Sequence, residues 1–206
     1  MGGVKVTAAT ASDIGEAAQV LAVAFADDPI MTVLWPDFHR RRAALPGYFA
    51  ASMRHHHLAG GGMLLARDDD GRIGAVADWD PPGRYSQSLP DTVRAAPALL
   101  RALRARVPAG VALRRTLEAA APDGAFWYLA HLGSLPEVRG RRFAHALLRQ
   151  QLVVIDEAGV DAYLVCTRAE NISYYQRVGF EVTNRIPLSS SGPTVFGMLR
   201  HPAATI

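Results

Sequence analysis

One stretch constrains what this chain can fold into more than any other. An apolar run from Ala125 to Leu132 leads into Gly133-Ser-Leu-Pro-Glu-Val-Arg-Gly-Arg-Arg142, and a run with apolar residues at helical spacing follows from Phe143 to Ala158. Strand, turn and helix are implied in that order. The connection holds Gly140 and three arginines, Arg139, Arg141 and Arg142, with no acidic residue after Glu137. A helix opens with N–H groups that have no internal partner and with the positive end of its dipole, so arginines there conflict with the helix start. An anion bound at the turn removes the conflict, which points to a phosphate-bearing ligand. The turn is not a P-loop, because no Gly-Lys-Ser/Thr follows, and it lacks two glycines of a dinucleotide fingerprint.

The flanking sequence supplies a sheet to carry this unit. Lys5 to Ala9 reads as a strand. Ile14, Ala17, Ala18, Leu21, Ala22 and Phe25 form an amphipathic helix, capped by Thr10 or Ser12 and ending at Asp27-Asp28-Pro29. A second helical region covers about 40–58, with Pro46 near its middle as a break or kink and Gly60 to Gly62 as its stop. Strands Met63–Arg67 and Arg72–Asp80 flank the hairpin signal Asp68-Asp-Asp-Gly71. Residues 84–121, with Pro90, Pro97 and Pro108, read as two or three short inserted helices. Then come strand Phe126–Ser134, helix Phe143–Ala158, strand Ala162–Thr167, helix Ile172–Val178, and strands Phe180–Ile186 and Thr194–Arg200 around the loop Ser189 to Pro193. Such alternation predicts an α/β or α+β fold with a mixed sheet, in one domain over 1–206.

Several function classes recede on composition. The net charge is +3, nearly all the basicity is arginine, and Lys5 is the only lysine. With no basic helix or interleaved aromatics, no nucleic-acid partner is expected; the arginines of the insertion (Arg94, Arg101, Arg104, Arg106, Arg114, Arg115) read as a solvated face. No apolar run reaches ~18–20 residues, so no membrane span is expected. The N-terminus lacks an apolar leader core, and Gly2 carries no myristoylation signal because Thr7 lies one position late, so a cytoplasmic location is expected. The single cysteine, Cys166, excludes an intrachain disulfide and reads as a buried strand thiol. His55, His56 and His57 point about 100° apart on a helix and read as a helix end; no metal is expected.

A second motif gives the anion site its chemistry. Asn171-Ile-Ser-Tyr-Tyr-Gln-Arg-Val-Gly-Phe180 is a short helix stopped by Gly179 before a strand. Taken with the basic turn, it resembles the GNAT superfamily of N-acetyltransferases. Arg139 and Ala144 match the ends of that family's Gln/Arg-x-x-Gly-x-Gly/Ala turn, with Arg142 in place of the central glycine. Asn171 and the run from Tyr175 to Phe180 match its Asn and Tyr-x-x-x-Gly-Phe segments. The wider chain resembles the puromycin N-acetyltransferase-like branch in Ala24-Phe-Ala-Asp-Asp-Pro29, in the helical insertion and in Trp127-Tyr-Leu129.

The resemblance implies a mixed, mostly antiparallel sheet of six to seven strands. Strands four and five would be parallel and splayed, with flanking helices and an insertion between strands three and four. It implies acetyl-CoA held between the splayed strands, with Leu132, Gly133 and Ser134 on the pantetheine arm. The N–H groups of Arg139, Gly140, Arg141, Arg142, Phe143, Ala144 and His145 would hold the pyrophosphate. Asn171 would contact pantetheine or fix the helix after it, and Tyr175 would protonate the departing thiolate. The activity implied is N-acetylation of a primary amine, in a small molecule, by direct attack in a ternary complex. A fold-sharing acyl-CoA-binding or regulatory module is the alternative, and a monomer or homodimer is expected.

The base stays open between His131, Tyr128 and a water relay. Tyr128 and Ala130 share one strand face and Trp127, Leu129 and His131 the other, so His131 reaches the cleft only if a bulge near Gly133 turns it. For the acceptor, Phe25, Asp28, Trp35, Trp79 and Tyr85 are the candidates, with Asp27 and Asp28 attracting a cationic amine.

Overall fold

In a computed structural model of the chain, which describes residues 3–85, 89–190 and 192–203, seven strands form one sheet. They are β1 (Lys5–Ala8), β2 (Met63–Arg67), β3 (Ile73–Asp80), β4 (Phe126–Ser134), β5 (Asp161–Cys166), β6 (Glu181–Pro187) and β7 (Thr194–Arg200). Their spatial order is β1-β2-β3-β4-β5-β7-β6. Every neighbouring pair is antiparallel except β4 with β5. The Gly2 and Ser191 readings lie outside the described residues.

Helices cover both faces. On one lie α1 (Ile14–Ala24), α2 (Pro29–Leu34) and α3 (Phe38–Ser52), with Ile14, Leu21, Leu45 and Phe49 packed on Leu65 and Val76. On the other lies α6 (Phe143–Ala158), with Phe143, Leu147 and Ile155 packed on Ala77, Trp79 and Leu164. The insertion between β3 and β4 is two helices, α4 (Leu89–Leu103) and α5 (Val107–Ala119). The short α7 (Ile172–Gln176) follows β5 and ends at Gly179, whose φ of 93° suits a residue without Cβ.

Four local expectations change. Asp27-Asp28-Pro29 does not only end α1; Asp28 also opens α2, accepting the Ile30 and Met31 N–H groups, with Pro29 at the first helical position, where its missing N–H costs nothing. Pro46 does not break α3, which runs on through it. The inserted helices are longer than expected because Pro108 sits in the first turn of α5 and Pro97 is tolerated inside α4. Two of the insertion arginines are not a solvated face. Arg106 donates to the Val33 and Leu34 carbonyls at the end of α2, and Arg114 pairs with Glu118 at 2.7 Å.

The insertion is pinned at several points. Trp35 Nε1 donates to Ala102 O, Tyr85 Oη to Leu117 O, and Asn184 Nδ2 to Ala120 O. These bonds reach carbonyls near helix ends, and they hold α4 and α5 as a roof over the β4 end of the sheet.

Candidate active site

The parallel pair opens where the sequence motifs meet. β4 and β5 are in register from Phe126 with Asp161 to Leu129 with Leu164, and there their pairing stops. β4 continues to Ser134 against β3, and β5 continues to Cys166 against β7. A V-shaped gap follows, edged by unpaired backbone. Leu135 N–H donates to Gly74 O, toward β3. Backbone groups alternate sides along a strand, so those of Leu132 and Ser134 face the gap. Gly133 is required for packing: a Cβ there would lie 2.8 Å from side-chain atoms of both Ala24 and Leu21.

The basic turn lies past the end of β4. The N–H groups of Arg139 and Arg141 donate to Pro136 O and Val138 O, so those two are not phosphate donors, contrary to expectation. The first intrahelical bond of α6 runs from Ala146 N to Arg142 O, which leaves the N–H groups of Phe143, Ala144 and His145 as the unpaired first turn. Gly140 has φ 77° and Arg142 φ 67°. Arg142 thus takes the left-handed conformation that glycine adopts freely, with its side chain exposed to solvent. The Phe143 side chain is core rather than ligand surface, 2% exposed against the α6 side of the sheet.

A cavity of about 520 Å³ runs from this gap beneath α4 and α5. Tyr175, Asn171, Cys166 and Leu132 line its gap end, while Leu99, Leu103, Val107 and Leu117 line its roof. Burial, with the neighbouring Cys166, Tyr174 and Asp28 adding to it, pushes the Tyr175 phenol well above its ordinary value, so it keeps its proton. Asn171 makes no capping bond to α7 and stands at the cavity's edge. Burial pushes the Cys166 thiol up to about 11, and its Sγ contacts Arg168 O at 3.0 Å, the inert thiol expected.

Facing the roof is a cluster of histidines and aspartates. β4 is bulged: Asp78 pairs with His131 and Trp79 with Leu129, so Ala130 is the extra residue. The bulge restores His131 to the face of Tyr128, at Ala130 rather than near Gly133 as expected. His131 Nδ1 lies 3.0 Å from Asp78 Oδ2, and its ring packs against Phe25 and Phe49 at 5.9 and 5.1 Å between centroids. Asp78 is fully buried, and its Oδ1 has no protein partner.

The second pair is His57 and Asp80. After α3 the chain widens into a π-helical turn, Met53–His57, and successive histidines converge on one carboxylate. His57 Nδ1 is 2.7 Å from Asp80 Oδ1 and His56 Nε2 is 3.1 Å from Asp80 Oδ2. The histidine run is therefore more than a helix end, although His55 does not join the pair. Burial acts to raise the Asp80 carboxyl, but His57 and His56 win and hold it well below the usual carboxylate range. Burial acts to lower His57, and Asp80 at contact distance overcomes it and raises the imidazole. His56, His57 and Asp80, and likewise His57, Asp78 and His131, offer donor atoms within 4.8 Å of one another. The 2.7 Å His57–Asp80 contact has hydrogen-bond length; ligands of a tetrahedral ion with ~2.0–2.1 Å bonds stand about 3.3 Å apart.

The chain as a whole has counterparts among solved structures. It is similar over 100% of its length to 99% of the protein described as histone acetyltransferase HPA2 and related acetyltransferase from Corynebacterium glutamicum, at 26% identity and a TM-score of 0.76. Arylalkylamine N-acetyltransferase 2 from Aedes aegypti matches at 11% identity and 0.60, covering 97% of this chain and 99% of that one. The ribosomal-protein-S18-alanine N-acetyltransferase from Escherichia coli matches at 13% and 0.57, covering 99% and 97%. The fold is the GNAT fold. The match to the Corynebacterium protein supports an acetyltransferase enzyme. No protein-family model matches the chain. No helix among the described residues is long and apolar enough to cross a membrane.

The predicted acceptor residues divide. Phe25 and Tyr85 do line the cavity. Trp35 does not; it is core against Tyr48 at 5.4 Å and anchors α4. Trp79 faces α6, on the sheet side opposite Asp78 and Asp80, because strand side chains alternate. Asp28 reaches the cavity, but its carboxylate is engaged by Ile30 and Met31 N–H and by Thr167 Oγ1 at 2.6 Å; it ties α2 to the end of β5. Tyr128 packs on Tyr85 at 4.6 Å, and burial, then Tyr85, Tyr163 and Asp80, keep its phenol protonated. The sequence does not announce Asp80, His56 and His57 as cavity residues, nor Asp78 as the buried partner of His131. Aspartates alternating through an otherwise apolar strand, Asp78-Trp-Asp80, were the available signal.

Proposed function

We propose that this chain is an acetyl-CoA-dependent N-acetyltransferase that acts on a primary amine of a small molecule by direct attack in a ternary complex. The observation that carries the reading is the unpaired gap between β4 and β5, which aims free backbone groups and the first turn of α6 at one extended ligand. Those residues fit such a ligand: Leu132 and Ser134 offer strand-like hydrogen bonds to an amide-bearing arm, and Phe143, Ala144 and His145 offer N–H donors to a pyrophosphate. Bound there, acetyl-CoA supplies the acyl thioester. The two-helix insertion between β3 and β4, together with the Asp28 turn, supports the puromycin N-acetyltransferase-like branch.

The chain's own groups then divide the work. Asp78 accepts from His131 Nδ1–H and so fixes the tautomer, leaving Nε2 with its lone pair on the cavity side to take the ammonium proton. Tyr128 forms wall and not base. The Leu132 N–H faces the gap, where a carbonyl oxygen gains charge. Tyr175, held protonated, stands ready to give its proton to a thiolate. The roof leucines and valines suit an acceptor whose amine is carried on an apolar body, and a cavity of about 520 Å³ is of drug-sized capacity.

A CoA-release assay over a panel of small amines, apolar to polar, tests the reading. Release that depends on the amine, and is strongest for apolar amines, is expected. Tight CoA binding with no release under any amine would assign the chain to the binding-module class instead.

A further inference from the structure

The second His–Asp pair has a third member. Ser52, at the end of α3, places its Oγ 3.1 Å from His57 Nε2, while His57 Nδ1 is 2.7 Å from Asp80 Oδ1. Hydroxyl, imidazole and carboxylate therefore stand in line, with the carboxylate on the ring nitrogen opposite the hydroxyl. A carboxylate accepts only, so in the neutral imidazole, the form that acts as base, Nδ1 carries the proton and Nε2 accepts from Ser52. His56 holds the other oxygen of Asp80, which fixes the carboxylate plane. The π-helical turn is what brings Ser52, His56 and His57 within reach of one strand residue. His57 and Asp80 are almost fully buried, Ser52 is half-buried, and all three line the large cavity. The proposed amine acetylation uses none of them.

We propose that Ser52 is an activated nucleophile that accepts acyl groups from activated esters and thioesters entering the cavity, a second acyl-transfer site beside the His131 one. Such a triad is recognised by geometry and roles, not by chain order. In the step, the Ser52 Oγ–H proton passes to His57 Nε2 as Oγ bonds to the acyl carbon. The bond from that carbon to the ester oxygen or thioester sulfur breaks, and His57 returns the proton to the leaving group. Water then attacks acyl-Ser52 by the same route, His57 taking the water's proton and returning it to Oγ as the carboxylic acid leaves. The nucleophile rests on the Ser52–His57–Asp80 geometry alone; only acetyl-CoA as its donor rests on the function proposed above.

The test is covalent labelling. The purified chain is treated, separately, with a fluorophosphonate probe, with p-nitrophenyl acetate, and with acetyl-CoA without amine, and the modified residue is mapped by peptide mass spectrometry. Fluorophosphonate and acetyl labels are expected on Ser52. They are expected to vanish in Ser52→Ala, and fluorophosphonate labelling is expected to slow at least about a hundredfold in His57→Gln, the loss typical of a removed general base. No label on Ser52 from the probe or the ester overturns the proposal, as does labelling at an unchanged rate in a folded His57→Gln chain. Should His57→Gln fail to fold, the comparison of wild type with Ser52→Ala decides. Ester and probe labelling without any from acetyl-CoA upholds the Ser52 nucleophile and counts against the thioester donor, so the two readings fail separately.

Discussion

The two ends of the cavity are built from different materials. The gap end is backbone: strands that part after Leu129 and Leu164, and a helix whose first N–H groups are unpaired. The other end is side chain: Asp80 from β3, His56 and His57 from the π-turn, and His131 from the bulge in β4, with Asp78 buried behind His131. A backbone site tolerates changed side chains, which is how Arg142 can stand where a glycine is favoured. A side-chain site built from buried charges tolerates few changes, because each member neutralises another.

The largest expected effect lies at the side-chain end. His131→Ala should lower kcat by roughly 10²–10⁴-fold with CoA affinity unchanged, read by steady-state kinetics and calorimetry. A parallel loss of CoA binding would mean that the ends are not separate. Next, Asp80→Ala leaves His56 and His57 without their shared acceptor and should cost about 3–5 kcal/mol of stability in urea unfolding. A cost under 1 kcal/mol would show that water reaches the pair.

The same pair sets a pH signature. His57 is raised above its ordinary 6.5, so its contribution is complete below that pH and fades as pH rises through the folded value. Asp80 is lowered from 3.8, so its contribution is complete above that pH and fades as pH falls through the folded value. Thermal stability should therefore peak between the two and decline toward alkaline pH. The alkaline decline should flatten in His57→Gln, and an identical slope in the two chains would remove His57 as its source.

Smaller effects belong to the backbone end. Arg142→Gly relieves a left-handed arginine and should stabilise the chain by about 1 kcal/mol, with little change in CoA affinity. A large loss of affinity would make the Arg142 side chain a phosphate contact. Arg141→Ala, an exposed charge whose N–H is already bonded to Val138, should weaken CoA by no more than about 1 kcal/mol, and less at high salt.

This contrast also explains what could be read from the sequence. Strand Phe126–Ser134, helix Phe143–Ala158 and the Tyr175–Phe180 segment are local patterns, and the structure places them within a residue or two of their expected bounds. They define the gap end almost completely. The other end depends on long-range geometry. A single extra residue at Ala130 changes which face His131 occupies, and nothing in the spacing of Phe126 to Ser134 announces it. The convergence of His56 and His57 needs a π-turn, which helical periodicity does not encode. Trp35 and Trp79 are ambiguous for the opposite reason: large aromatics suit a pocket and a core equally, and only sheet alternation and the α4 anchor decide.

The most direct test of the account is a structure of the chain with acetyl-CoA bound. It should place the thioester carbonyl oxygen within hydrogen-bond distance of Leu132 N–H, the pyrophosphate on the N–H groups of Phe143, Ala144 and His145, and the sulfur beside the Tyr175 hydroxyl. A pyrophosphate held by arginine side chains away from the first turn of α6, or a ligand lying outside the gap between β4 and β5, would contradict it.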